Sequence, residues 1–555
     1  MRRFSPNELF GIVLQPIEQV SDTLERKLGL FSVVIISLSA MLGSGLFVLP
    51  ALAMLELGGG SNPAGGVWLA YLLAALVVLP GAISKSELAT AMPSSGGSYV
   101  YIERTFGPLI GTISGLGLWA NFMLKSAFAL IGFKAYLWVI EDIFGMKINL
   151  EYASLILLIF IVIINIMGVK RIKKVQTPIV LLSTIFLFLT CILAIFTVEM
   201  NWNNVFSGDA FGSGWESVAS TAALVFVSYA GVTKIAAVGG EIKNPTNNIP
   251  KGILLSLFFS TLLYVFVTLI MAASVDPSFY VEEGTSHARE DPVYIFANEV
   301  GGYNFGIFAA FLAVLTMTSM ALAGIMASSR FLFAMARDSL LPDFLEDVHG
   351  KFETPHWAII STGAAMYFAI TFLPVHDVAE LASGFKIMIF IIINSSVIIL
   401  RRSSNSHSWY NPEWKSPLFP FFQIMGIITS IGLLYLMGSK AIIGASVAII
   451  IGSIIYFSYG KKHQKPEITP WNTFRLMLTN PDEVEHRRRH AAFHAADIEG
   501  TNHLNLHEFV AAMTALGYNG ENQDTLRSYF HSVDENEDGV IDIDEFLIYV
   551  EETEF

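Results

Sequence analysis

Between Leu28 and Met54 the chain stays apolar for long enough to cross a bilayer, yet the middle of the run reads Met41-Leu42-Gly43-Ser44-Gly45-Leu46-Phe47. Two glycines sit where a spanning helix of about 20 apolar residues wants none. In hydrocarbon an unpaired peptide group costs several kcal/mol, so a broken helix survives only where neighbouring protein or a lined cavity takes up the freed backbone groups. A half-helix beginning near Gly45 aims its free N–H groups and positive dipole end at the membrane interior, where a ligand carboxylate can sit. Close helix packing through small residues is the plainer account of the same glycines. A second interruption elsewhere in the chain separates the two accounts.

Of 555 residues, 53% are hydrophobic and 14% charged, which makes the chain a polytopic membrane protein rather than a soluble one. The single cysteine, Cys191, lies in an apolar run and excludes both a disulfide framework and a cysteine-ligated metal. No apolar run adjoins Arg2 and Arg3 and no small-residue cleavage site follows, so the first span is expected to direct insertion. The net charge of −14 resides in the tail, because residues 466–555 carry 19 acidic and 5 basic side chains and the rest is balanced. An acidic tail disfavours nucleic acid and anionic lipid and suits a cation or a basic partner. No nucleophile with a positioned base and no phosphate-binding glycine loop is present, so an enzyme is not expected.

Hydropathy windows place twelve spans near 28–54, 66–91, 108–140, 152–169, 177–198, 216–238, 252–274, 303–333, 357–374, 378–400, 417–438 and 441–459. Arg26 and Lys27, Lys170 to Lys174, Lys243 and Lys251, Arg330 and Arg337, Arg401 and Arg402, and Lys461, Lys462 and Lys465 then share one side. The opposite loops are acidic, including the run from Asp276 to Asp291. By the positive-inside rule both termini are cytoplasmic, in a cell or inner membrane.

The sixth span repeats the anomaly of the first: Val225-Phe226-Val227-Ser228-Tyr229-Ala230-Gly231-Val232-Thr233-Lys234 places small polar residues and a lysine at mid-span depth. Five spans separate the two breaks, the spacing of two inverted five-span repeats. A site is expected between them at the midplane.

Four blocks across residues 25–460 resemble the amino acid–polyamine–organocation permease superfamily. They are the glycine motif at 41–47, Glu87-Leu88 with Pro93-Ser94-Ser95-Gly96-Gly97-Ser98-Tyr99, Phe226 to Gly231 with Glu241 to Pro250, and Ser329 to Asp338 with Pro342. The resemblance implies an all-α polytopic membrane protein of twelve transmembrane helices with a five-plus-five inverted repeat like that of the leucine transporter, spans 11 and 12 lying outside it. It also implies an amino acid carrier working by alternating access. Gly43, Ser44 and Gly45 correspond to donors for the substrate carboxylate, carbonyls around Tyr229, Ala230 and Gly231 to acceptors for its amino group, and Phe226 to a gating aromatic. With no acidic residue in either break, neutral amino acids are preferred over dibasic ones.

The coupling ion stays open between sodium, a proton and plain exchange. Ser183, Thr316, Thr318 and Ser319 offer hydroxyls where sodium-coupled relatives hold their ion, although such groups often bond their own helix backbone. Lys125 in span 3 and Lys234 in span 6 are candidates for cycling a proton, against salt bridging or snorkelling.

In the tail, Asp534-Glu535-Asn536-Glu537-Asp538-Gly539-Val540-Ile541-Asp542-Ile543-Asp544-Glu545 meets every constraint of a twelve-residue EF-hand calcium loop. Asp534, Asn536, Asp538, the Val540 carbonyl, Asp542 and bidentate Glu545 are the expected ligands, with Gly539 at the sharp turn. A second loop lies 37 residues upstream with Asp497, Glu499, Thr501, the His503 carbonyl, Asn505 and Glu508. Its Asn502 stands in place of the glycine, and Glu499 and Thr501 are poorer ligands, so this is a weaker calcium site or a structural partner. His486, His490 and His494 line one helix face; with arginines between them a polar face is preferred to a zinc site.

The expected organisation is a cytosolic segment 1–27, a transmembrane permease domain 28–460, a linker 461–481 and an EF-hand domain 482–555. The expected function is secondary active amino acid transport set by cytosolic calcium. Two alternatives are weighed: an amino acid receptor or scaffold that recruits a partner through calcium, and a carrier of organic or inorganic cations on the same fold.

Overall fold

The computed structural model describes residues 28–60, 62–93, 97–145, 149–168, 172–237, 239, 242–282, 287–352, 354–403, 410–463, 469–480, 489–490, 492–494, 496–497, 501, 503–516, 529–534 and 539–552. They form two compact units, one drawn from residues 25–398 and 409–467, the other from 399–408 and 468–555.

The larger unit is helical. Its principal helices are α1 (Leu30–Met41), α2 (Ser44–Phe47), α3 (Leu49–Leu57), α4 (Val67–Ala91), α5 (Pro108–Tyr136), α6 (Leu150–Ile166), α7 (Ile172–Thr197), α8 (Trp215–Val225), α9 (Lys234–Ala237), α10 (Pro245–Ser274), α11 (Tyr303–Arg337), α12 (His356–Phe372), α13 (Val375–Arg402), α14 (Phe421–Leu436) and α15 (Ser439–Ile455). Among the described residues, eight helices are long and apolar enough to cross a membrane, and Leu30–Met41, Tyr152–Ile166 and Phe421–Leu436 are shorter apolar helices. The expected first span is not one helix but α1, α2 and α3 in succession, and the expected sixth is α8, a 3₁₀ segment over Phe226–Thr233, and α9.

Local chemistry sets these boundaries. Gly107 holds φ at 87°, a conformation glycine adopts without penalty, and Pro108 follows at the first position of α5, where its missing N–H is not needed. α5 then packs along α11, the most extensive helix pairing in the unit, and α4 packs along α10. Outward faces stay apolar: Ile156, Ile159 and Phe160 on α6, and Ile443, Ile450 and Ile454 on α15, are exposed. That is the pattern of helices whose outer surface meets lipid, since lipid tails are as apolar as these side chains.

The smaller unit carries α16 (Leu506–Leu516) and α17 (Ile543–Glu552) with two short strands, β1 (His503–Leu504) and β2 (Ile541–Asp542). The strands pair antiparallel, His503 opposite Asp542 and Leu504 opposite Ile541. Phe493, Phe509, Phe530, Phe546, Leu504 and Ile541 are buried together, so the apolar residues flanking both loops form one shared core.

Candidate substrate site and calcium loops

The two interruptions meet. A Cβ built on Gly231 would lie 2.5 Å from Met41 Cγ and 2.7 Å from both the Ala40 carbonyl carbon and the Met41 nitrogen, so the 3₁₀ segment crosses the end of α1 in backbone contact. A Cβ on Gly45 would lie 2.8 Å from Ser228 Oγ, and one on Gly43 would lie 2.2 Å from Met320 Sδ of α11. Gly231 is therefore required by close approach of backbone to backbone, whereas Gly43 and Gly45 face side chains, those of Met320 and Ser228. Leu28 and Ile242 form a parallel bridge, which ties the other ends of the same two spans.

The first break exposes carbonyls that a continuous helix would use. The chain turns at Gly43, Leu46 and Phe47 bond back to the Gly43 carbonyl, and Pro50 has no N–H to offer Leu46. Side chains from other helices fill the gap. Tyr264 Oη donates to the Met41 carbonyl at 2.7 Å, Tyr71 Oη to Gly45 at 2.8 Å, Tyr136 Oη to Phe47 at 2.6 Å, and Lys125 Nζ to Ala40 at 2.8 Å. Each such bond removes a desolvation penalty of about 1–3 kcal/mol that an unpartnered buried carbonyl carries. As the first residues of α2, Ser44 and Gly45 have N–H groups that its own ladder cannot use.

At the second break, α-helical bonding gives way to 3₁₀ bonding over residues that include the β-branched Val227, Val232 and Thr233. Buried Ser383 of α13 bridges the junction, donating to the Leu224 carbonyl at 2.8 Å and accepting from Val227 N–H at 3.0 Å. The Ser228 carbonyl faces the first break, receiving Lys125 Nζ at 3.4 Å and Tyr264 Oη at 3.3 Å. Ser228 Oγ is buried with no hydrogen-bond partner. Lys125 thus spans the two interruptions, one ammonium touching a carbonyl from each.

The other expected site residues fall out differently. Tyr229 is fully buried, its hydroxyl donating to the Tyr71 carbonyl at 3.0 Å and its ring edge-on to Tyr264 at 5.2 Å, so its side chain buttresses the crossing. The Ala230 carbonyl accepts from Lys386 Nζ at 3.4 Å, and Phe226 lies edge-on to Phe390 at 5.6 Å. Ser183 and Thr316 do come together, their hydroxyls 2.7 Å apart, while each also bonds its own helix at Ile179 and Leu312. Thr318 bonds the Val314 carbonyl, and Ser319 is buried on the same helix. Lys234 is half-buried at the start of α9, within electrostatic reach of Lys125. Tyr71, Tyr136, Tyr264, Ser383, Met320 and Lys386 escaped the sequence reading, because nothing local to them marks a partner on another element, 26 residues away for Tyr71 and 223 for Tyr264.

Toward one end of the bundle, His376 of α13 lies 3.4 Å from Glu56, just past the first break, and 3.8 Å from Glu380, while Lys440 pairs with Asp377 at 2.7 Å. A cavity of about 1400 Å3 opens beside it, lined by Lys134, Glu282, Arg289, Glu290 and Asp291 among others. Arg289 and Asp291 form a two-point ion pair at 2.9 Å. Burial raises the Glu290 carboxyl to about 7, against the opposing pull of Lys134.

In the smaller unit, each loop closes on its first aspartate, in registers one residue apart, and both share one cap at the exit helix. Asp497 Oδ1 accepts from Thr501 N–H, and Asp534 Oδ2 from Gly539 N–H, each at 2.9 Å. Gly539 takes φ of 83°, as the sharp turn of a calcium loop demands. Asn505 and Asp542 each cap the exit helix, accepting from the N–H groups two and three residues on. Glu508 and Glu545 reach back to the N–H of Asn505 and Asp542 at 3.0 Å, completing a reciprocal capping box. The His503 carbonyl takes the Thr501 hydroxyl at 3.0 Å, and Val540 adjoins β2. Oxygens of Asp497, Asp534, Asp542 and Glu545 have the hard-ligand chemistry that calcium needs, one carboxylate at each end of the strong loop. Glu499, Asn536 and Asp538 lie outside the described residues, as do Asn502 and His486. His490 and His494 stand with ring centroids 6.2 Å apart.

Comparison with known proteins agrees with both units. A family model described as amino acid permease matches residues 28–460, and one described as an EF-hand domain pair matches residues 488–551. The branched-chain amino acid permease BcaP of Bacillus subtilis (strain 168) is 29% identical over 463 residues, covering 80% of this chain and 95% of the relative. The methylthioribose transporter and the serine/threonine exchanger SteT of the same organism are each 26% identical, covering 80% of this chain and 95% and 98% of their own. The chain belongs to the amino acid permease family and carries an EF-hand pair at its C-terminus.

Proposed function

We propose that the protein carries amino acids across a membrane by alternating access, holding the substrate where the two helix breaks cross, and that cytosolic calcium on the EF-hand pair sets its rate. The observation that carries this is the backbone contact of Gly231 with Ala40 and Met41, with Lys125 touching a carbonyl from each break. Free N–H groups at Ser44 and Gly45 suit a carboxylate, and the Met41 and Ser228 carbonyls suit an ammonium, so a zwitterion matches the crossing at both ends. Relatives named as branched-chain and serine/threonine carriers support amino acids as the substrate class.

In this proposal the full bundle has twelve spans in a five-plus-five inverted repeat, with both termini cytoplasmic. The substrate ammonium displaces Lys125 and Tyr264 from the Ser228 carbonyl, and Lys125 is the group through which a proton is cycled. Ser183 with Thr316 remains the site for a sodium ion if that ion couples instead. Uptake of labelled amino acids into proteoliposomes, with and without calcium on the tail side, tests both halves. Absence of any uptake or exchange removes the carrier; a calcium response that survives removal of residues 466–555 removes the regulation.

A further inference from the structure

Two lysines beside the crossing have no part in that mechanism. Lys85 of α4 is fully buried and its ammonium has no hydrogen-bond partner. Lys386 of α13 is fully buried as well and reaches the Ala230 carbonyl, two residues past Ser228, at 3.4 Å. Both ammonium groups approach the ring of Phe390, at 5.5 Å and 5.0 Å from its centroid, and Lys386 stands 5.9 Å from the ring of Phe122. Gly81, one turn before Lys85, makes room for this, since a Cβ there would meet the Phe390 ring at 2.9 Å. Phe226 closes on the same ring from the 3₁₀ segment.

An aromatic face offsets part of what an ammonium loses on leaving water, but it brings no counter-charge, and two ammonium groups at one ring repel each other. Lys85 is fully buried with no hydrogen-bond partner, so its ammonium is the group at this ring open to an anion. Position decides which anion. A zwitterion held between the breaks has its side chain as the remaining free group, and Lys386 touches the backbone of the break itself.

We infer that Lys85 and Lys386, with Phe390 between them, form an anion subsite that takes the side-chain carboxylate of a dicarboxylic amino acid. The inference rests on the crossing being the transport site. It reverses the preference for neutral substrates drawn from the breaks alone, because the cations stand on α4 and α13 rather than in the breaks.

Side-by-side uptake of labelled glutamate and labelled leucine by the full chain in proteoliposomes tests it. Glutamate is expected to be taken up, and Lys85→Met and Lys386→Met are each expected to lower the glutamate-to-leucine ratio by about tenfold or more, whereas Lys85→Arg holds it within roughly threefold. Elution of each variant as a monodisperse peak in detergent separates this from misfolding. Leucine uptake with no glutamate uptake or competition overturns the subsite, as does an unchanged ratio in both methionine variants. Leucine uptake that requires added acetate, with glutamate inert, also overturns it, by assigning the carboxylate to a free ion. If no amino acid moves at all, the carrier itself fails, which is a different outcome from leucine moving alone.

Discussion

The bundle and the tail build their candidate sites from opposite materials. In the tail the chemistry belongs to side chains: carboxylates at fixed intervals within twelve residues, each already holding a backbone N–H that shapes the loop. In the bundle it belongs to the backbone, freed where two helices stop and kept from collapse by tyrosines and a lysine on α4, α5 and α10. A side-chain site tolerates changes around it and fails when a ligand is lost. A backbone site has no ligand to delete and fails when a neighbour intrudes.

Substitution at the crossing is the severest way to test that contrast. Gly231→Leu forces a side chain into the Ala40–Met41 backbone and is expected to reduce amino acid uptake to background, while calcium affinity of the tail stays within about twofold. Loss of calcium binding as well would show that the two sites are not separate. Glu545→Gln removes the bidentate carboxylate, and calorimetry should find calcium affinity at that loop lowered by about tenfold to a hundredfold, with uptake in calcium-free buffer unchanged. The same change at Glu508 should do less, since that loop is the poorer one.

Tyr264→Phe deletes one hydroxyl and leaves the Met41 carbonyl without its partner. A loss of about 1–3 kcal/mol in stability is expected, read as a lower melting temperature in detergent. An unchanged melting temperature would mean that water takes the place of the tyrosine. The smallest effect concerns the acidic loop. The Glu290 carboxyl in the folded protein, at about 7, lies above its ordinary value near 4.5, so its contribution to stability is complete below about pH 4.5 and is lost as the pH rises through about 7. Protection factors in the loop around Glu290, which remove the intrinsic rise of amide exchange with pH, should fall from pH 5 to pH 8 in the wild type and stay level in Glu290→Gln.

Legibility followed the same divide. The EF-hand pair could be read from spacing alone, because the pattern of each loop lies within twelve residues. Both breaks were legible as departures from hydropathy, and Gly43, Gly45 and Gly231, singled out there, stand at close approaches between elements. Their partners were not: Tyr264 lies 223 residues from the Met41 carbonyl it serves, and Ser383 lies 156 from Val227. A tyrosine in an apolar helix looks the same whether it packs or caps. Lys386 and Lys85 went unread in the sequence, and only the fold brings them to one ring. The 3₁₀ conversion of Phe226–Thr233 was legible as an interruption but not as a kind of helix, and the Ser383 bonds at its junction come from a distant part of the chain.

Lys125 has a consequence for the cycle rather than for the fold. In the proposed mechanism its ammonium occupies, when no substrate is bound, the position that a substrate ammonium takes. The unloaded protein therefore presents the same charge to the same carbonyls as the loaded one, and the return stroke meets no unpaired dipoles. A carrier that supplies its own tethered cation is expected to accumulate substrate in vesicles holding no internal amino acid. Lys125→Met should turn it into an obligate exchanger, silent until the vesicle lumen is preloaded.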